Sequence, residues 1–383
     1  MLVGSGPQPR LRRLAINHLS GTDGLPTIGD LVPVVVAQRT WRVLGEGVAV
    51  ALPVGGTHER RDDLEIPLGD VGRLAPEVGE TQVDVELEKV DAGGLVHARR
   101  VRSPSDDIEF PQMARIRVGL PGIPVRDDPE RAVETLLELG YDACEIDFEG
   151  GFWMDYPWAE RLGEAAREAD VALSVHAPLF GFMGHLEASG RKFSSAVGAL
   201  DRSAGIAAAC GAEVVVFHPG FLLGRTREDA ITSVVEQLGT LRVRLEGKDR
   251  AVPFGVEVMG RVRDLGSLDD VVEISRRTGW VRPVLDFAHM HATSDGAYLE
   301  ASLFVEALEA VDDVLTSGTP FHIHFSDIAY ANRNEKHHLP YGDGTLRADP
   351  LREALARFDR PATVISESPD EASSQEIRAI LTA

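Results

Sequence analysis

The chain has 383 residues, 43% of them hydrophobic and 26% charged, and a formal net charge of -22. That length has room for one barrel of roughly 250 residues plus a module of about 100, and the composition excludes an intrinsically disordered chain. The acidic excess opposes long-range attraction to any polyanion, so a nucleic-acid partner would have to be held by local cations and arginines.

No run approaches the roughly 18 apolar residues that span a bilayer, and the opening MLVGSGPQPRLRRLAINHLS lacks the apolar core of a signal peptide. A cytoplasmic protein with no membrane partner is expected. Cys144 and Cys210 are too few for a disulfide framework and read as small buried hydrophobes.

In chain order, residues 1–110 carry short β-branched runs, LVPVVVAQRTW, GVAVALPV, TQVDVELEKV and GLVHARRV, separated by Gly, Asp and Pro. They predict a small mainly-β domain, a barrel or a sandwich, whose role the sequence leaves open. If it extends a nucleic-acid groove, Arg39, Trp41, Arg99 and Arg100 are the residues to examine; a cap on the second domain or a dimerisation surface is an equal alternative. SPSDDIEFPQM, at 103–113, reads as a linker.

From 111 to 383 β-rich runs alternate with helical patterns. The runs are ARIRVGL from 114, ACEIDF from 143, VALSVHA from 171, AEVVVFH from 212, PFGVEVM from 253, VRPVLDF from 281, FHIHFS from 321 and ATVISE from 362. Between them the 3.6-residue period predicts helices over 129–140, 158–169, 201–211, 228–245, 269–279 and 303–315. Pro129 marks a helix start, and Gly140, Gly211 and Gly279 mark stops. Eight βα units of this size close on themselves, so the fold class is α/β, a (β/α)8 barrel preceded by the small mainly-β domain.

Metal-capable residues gather where the runs end: His176, His218, Glu257, Asp286 with His289, His324, Glu335 with His337, and Glu367. Parallel strands in a barrel bring these ends to one mouth. Carboxylates and imidazoles crowded there would repel or stay unsatisfied unless cations neutralised them, and the mixed donor set suits Zn²⁺, with Mn²⁺ or Fe²⁺ as alternatives. His291 is expected beside a ligand or as a plain loop residue, and His322 as a structural histidine facing the helices. Asp327 is a candidate to orient a ligand imidazole. Ser174 and Cys144 are taken as packing residues.

The segments SVHAPL at 174, VFHPG at 216, GVEV at 255, LDFAH at 285, IHFSD at 323, NEKHH at 334 and SESP at 366 resemble the endonuclease IV family of apurinic/apyrimidinic endonucleases, within the xylose-isomerase-like barrel superfamily. The resemblance implies three divalent ions. His176 and His218 would hold one, Asp286, His324 and Glu367 the second, with Glu257 between them, and His289, Glu335 and His337 the third. Glu335 stands where the family has Asp. The implied activity is incision of DNA 5′ to abasic sites by a metal-activated water, leaving a 3′-hydroxyl, with Glu257, Glu367 and His218 as catalytic residues.

Leu179 and Phe180 stand where that family inserts residues into the damaged duplex, and an apolar wedge is compatible with them. Arg126, Trp153 and His338 are further candidates to touch substrate; Arg191, Lys192 and Arg225 are candidates for phosphate. No broad basic patch is visible, and the loop EGGFWMDYPW is acidic and aromatic. A metal-dependent sugar isomerase or epimerase acting on a sugar or small phosphorylated substrate is therefore the alternative.

Overall fold

The computed structural model describes residues 114–383 and, ahead of them, six strand segments. The chain divides into two units, Met1–Gln112 and Met113–Ala383. In the first, the described strands are β1 (Val32–Val36), β2 (Arg39–Leu44), β3 (Val48–Ala51), β4 (Val71–Arg73), β5 (Asp84–Val90) and β6 (Leu95–Arg100). They pair antiparallel in the order β1-β2-β3-β6-β5-β4. The side chains of Arg39, Trp41, Arg99 and Arg100, and the segment 103–113, lie outside the described residues.

The second unit is the (β/α)8 barrel that the alternation of runs predicts. Strands β7 (Ile116–Pro121), β8 (Ala143–Asp147), β9 (Ala172–His176), β10 (Val215–Phe217), β11 (Phe254–Glu257), β12 (Val281–Asp286) and β13 (Phe321–Phe325) follow one another around it. After the hairpin β14 (Asp327–Ala331) and β15 (Asn334–Leu339), β16 (Ala362–Ser366) closes the ring between β13 and β7. Every barrel pairing is parallel.

The helices are α1 (Pro129–Glu138), α2 (Tyr156–Glu168), α3 (Arg191–Cys210), α4 (Arg227–Glu246), α5 (Leu268–Thr278), α6 (Phe287–Thr293), α7 (Ala301–Asp312), α8 (Ala348–Leu355) and α9 (Glu371–Leu381). Local chemistry sets their ends. Asp128 accepts from the Arg131 amide ahead of Pro129, and Ser267 with Asp270 forms a reciprocal capping box on α5. Gly211 and Gly279 stop α3 and α5 in the left-handed conformation, at φ 69° and 68°.

The predicted helix over 201–211 is longer than its pattern showed. It runs back to Arg191, because Ser194, Ser195 and Gly198 interrupt the apolar stripe of its first half without breaking the backbone ladder. Leu162, Leu200, Leu238, Ile274, Phe304 and Leu351 face the barrel from six helices and are fully buried. Burying one such side chain stabilises the fold by about 1.5–3 kcal/mol. At Gly163, where α2 crosses α3, a Cβ would run into the Cys210 carbonyl, so only glycine permits that approach. Both cysteines are buried, and burial pushes the Cys210 thiol up to about 12.

Candidate metal centre at the carboxyl ends of the strands

Side chains in a strand alternate faces, so residues two apart share one. In this barrel that rule sends His176, Glu257, Asp286 and His324 into the lumen at its carboxyl end. His218 and Glu367 follow directly on β10 and β16. His176, His218, Glu257 and Glu367 line a cavity of about 360 Å³, while Asp286 and His324 are fully buried.

Glu257 is the hub. It is 1% exposed, and its two oxygens face different partners. Oε2 lies 3.2 Å from His176 Nε2 and 3.1 Å from His218 Nε2. Oε1 lies 3.2 Å from His324 Nδ1 and 3.6 Å from His289 Nδ1. Burial alone would raise this carboxyl, but His324, His218 and His176 outweigh it and hold it well below the ordinary range.

On the Oε1 side, Glu367 Oε1 lies 3.3 Å from His324 Nδ1, and Asp286, His324 and Glu367 offer ligand atoms within 4.8 Å of one another. Burial, aided by Asp286 and Glu257, pushes the Glu367 carboxyl up to about 8 against the pull of His324. Burial and Glu257 also raise Asp286. On the Oε2 side, His176 and His218 group with Glu149 within the same 4.8 Å.

The proton positions on the rings decide whether these groups suit cations. His176 Nδ1 is 3.0 Å from the Ala177 carbonyl, which can only accept, so a neutral ring carries its proton there. Its Nε2 lone pair then points at a carboxylate oxygen. His289 Nδ1 is 2.8 Å from the Val258 carbonyl, so its proton is committed although Asp286 Oδ2 is only 3.0 Å away. Asp286 Oδ2 is buried without a hydrogen-bond partner among the described residues. Lone pairs facing carboxylates are repulsive unless the rings are protonated or cations lie between. The donor set fits divalent ions.

The third predicted trio is only partly assembled. His289 Nε2 lies 2.8 Å from Glu335 Oε2, and Arg261 Nε lies 3.2 Å from Glu335 Oε1. His337 is exposed and belongs to none of the ligand groups among the described residues. The region after the seventh strand is the β14–β15 hairpin, whose register shifts between Ala329 and Tyr330. His337 nevertheless lines the same cavity as His289 and Glu335.

Other expectations fare differently. His322 shares a face with His324, not the opposite one, as a separation of two residues requires, and it lies in the lumen with Nε2 2.9 Å from Glu145 Oε2. Ser174 is more than packing, since its hydroxyl donates to the same oxygen at 2.7 Å. Glu145, 2% exposed on β8, and Glu149, grouped with His176 and His218, are the residues that sequence reasoning missed. Asp327 does not orient a ligand: it accepts from the amides of Gly342, Gly344 and Leu346 and from Arg347, fixing the turn before α8. His291 is buried and 2.8 Å from the Thr345 hydroxyl.

Leu179 and His338 line the cavity, and Leu179 and Phe180 are half exposed beside it. Arg126 and Trp153 do not line it. Arg126 stacks 4.6 Å above the Trp153 ring, and the indole N–H donates to the Asp147 carbonyl at 3.1 Å. Arg225 is spent on the carbonyls of Gly184 and Leu222.

A barrel of this form with carboxylates and imidazoles at its mouth defines a class with known members. The chain belongs to the xylose isomerase-like TIM barrel family, whose profile matches residues 133–382. Over 254 residues it is 29% identical to the uncharacterized protein MJ0133 of Methanocaldococcus jannaschii, covering 66% of this chain and 91% of that one. Among solved structures it resembles 3-keto-D-glucoside 4-epimerase from E. coli, at 18% identity and a TM-score of 0.54 over 70% of this chain and 99% of the other. It also resembles endonuclease IV from Thermus thermophilus, at 21% identity and a TM-score of 0.53 over 70% of this chain and 98% of the other. At those identities the two structures speak for the fold alone. Among the described residues, no helix is long and apolar enough to cross a membrane.

Proposed function

We propose that the barrel is a metal-dependent phosphodiester hydrolase related to endonuclease IV, with DNA carrying abasic sites as substrate, and that residues 1–110 form a separate small β-rich domain. The observation that carries this reading is the shared carboxylate. Glu257 presents one oxygen to His176 and His218 and the other to His324 and His289, the arrangement of a bridge between two ions rather than a ligand to one. His176 and His218 would hold the first ion, and Asp286, His324 and Glu367 the second. His289 and Glu335 would hold a third, with His337, exposed on the same cavity, as its further ligand. Zinc suits this set of imidazoles and carboxylates, with manganese or iron as alternatives.

When bound, such ions supply an acidified water and cancel charge on the nonbridging phosphate oxygens. The chain's own contribution is placement. Glu257 fixes the centre, and His218 and Glu367 open onto the cavity beside it. Leu179 and Phe180 stand ready as an apolar wedge against an unstacked base.

The test is incision of a duplex oligonucleotide bearing one abasic analogue by metal-loaded protein, against undamaged duplex and a Glu257→Gln variant. Cleavage 5′ to the lesion that disappears in the variant is expected. Equal action on both duplexes, or none above the variant, contradicts the reading.

A second reading, a sugar isomerase or epimerase, is favoured by the cavity itself. At about 360 Å³, with Glu145, Asp147, Glu149, Glu335 and Glu367 along its wall, it suits a small neutral polyol better than a polyanion. Exchange of a carbon-bound hydrogen with deuterated solvent in a panel of ketoses, with no incision of DNA, would move the assignment there.

A further inference from the structure

We infer that Glu145 is a positioning residue for the metal centre: it fixes the tautomer and orientation of His324, so that Nδ1 is the ring atom presented to the ions. The inference rests on the two-ion reading and adds a residue outside the predicted ligand set.

Glu145 rises from the middle of β8 and reaches across the lumen to β13, past the two intervening strands β7 and β16. It is 2% exposed, so its charge is stabilised by protein groups. Ser174 Oγ donates to Oε2 at 2.7 Å, and His322 Nε2 lies 2.9 Å from the same oxygen. His324 Nε2 lies 2.9 Å from Oε1, off the line of an ideal hydrogen bond.

A carboxylate only accepts, so opposite Glu145 the neutral His322 ring carries its proton on Nε2. His324 faces carboxylates from both nitrogens and forms its hydrogen bond at Nδ1, to Glu257, so a cation taken up at Nδ1 would leave the ring proton to Nε2 and Glu145. For His322 the consequence stays local, since its Nδ1 has no partner among the described residues. For His324 the consequence reaches the centre. With Nε2 protonated toward Glu145, the lone pair is on Nδ1, which faces Glu257 Oε1 at 3.2 Å and Glu367 Oε1 at 3.3 Å. A carboxylate behind a ligating imidazole fixes the ring and strengthens it as a donor, and its loss typically weakens metal binding about 10–100-fold.

Two measurements on the full chain test this with zinc as the probe. In zinc-loaded wild type, ¹⁵N–¹H correlation spectra of the ring nitrogens should show His324 protonated at Nε2 and metal-shifted at Nδ1. The reverse pattern overturns the inference without any variant. In Glu145→Gln, chelator competition should show the ion at Asp286, His324 and Glu367 bound roughly 10–100-fold more weakly, while the ion at His176 and His218 keeps wild-type affinity. That retained ion reports an intact barrel. Wild-type affinity for both ions in the variant also overturns the inference. Wild type that takes up no zinc would overturn the two-ion reading, and the inference with it; normal uptake without a Glu145 effect leaves that reading standing and removes only the inference.

Discussion

Replacing Glu257 by Gln keeps the shape of the side chain and removes its charge. In the native site that charge faces four imidazole nitrogens, at 3.1, 3.2, 3.2 and 3.6 Å, from a carboxylate that is 1% exposed. Removing one partner of a buried charge pair costs about 3–5 kcal/mol. Applied to each ion that Glu257 would bridge, this is a loss of roughly 10²–10⁴-fold in affinity. Because one oxygen serves each side, both ions should weaken together. In His218→Ala, by contrast, one ion should weaken and the other stay. The assay is competition with a chromophoric chelator, with stoichiometry read by plasma mass spectrometry. A Glu257→Gln protein that loses only one ion, or binds both with native affinity, refutes the bridging argument.

Further outcomes follow from other parts of the barrel. His337→Ala should leave both ions at Glu257 in place, since its ring lies outside the assembled groups; metal analysis of the purified variant checks this. At Gly260 a Cβ would collide with Glu335 Oε2, so Gly260→Ala should displace Glu335 from His289 and remove a third ion selectively, in the same measurement. In chelator-treated protein, Glu367 has a folded pKa of about 8, above the unfolded value, so its contribution to stability is full below about pH 4 and is lost as pH rises toward 8. Thermal melts should show that decline, flattened by Glu367→Gln and suppressed by zinc; a decline unchanged in the variant would contradict it. Asp201, 3% exposed on α3, is paired with Arg244, Lys248 and Arg250. Asp201→Asn should cost about 2–3 kcal/mol in urea unfolding, less than a fully buried pair because its partners reach solvent.

Much of this was legible because the barrel converts chain order into position. Strands that all run the same way bring their last residues together, so His176, Glu257, Asp286 and Glu367 could be placed at one mouth from the ends of four runs. Helix ends were equally readable at Pro129, Gly211 and Gly279, where backbone restrictions act locally. What escaped was whatever depends on facing across the lumen or on a broken register. Glu145 sits inside a strand with no motif around it. Its only signal was parity, since an acidic residue on the lumen face of β8 must find donors there, and His322 on β13 was one of them. His337 reaches the cavity that its spacing implied, but the register shift in the hairpin and its distance from the assembled groups are not readable from spacing. Arg126 and Trp153 were read as free to meet substrate, whereas each satisfies the other.

Anomalous diffraction from zinc-loaded crystals tests most directly whether Glu257 bridges two cations. Bridging predicts one peak between Glu257 Oε2 and the rings of His176 and His218, and a second between Oε1 and Asp286, His324 and Glu367, roughly 3.5–4 Å apart as in two-metal hydrolytic sites. A single peak confined to the Asp286 side, or none within reach of Glu257, would contradict it.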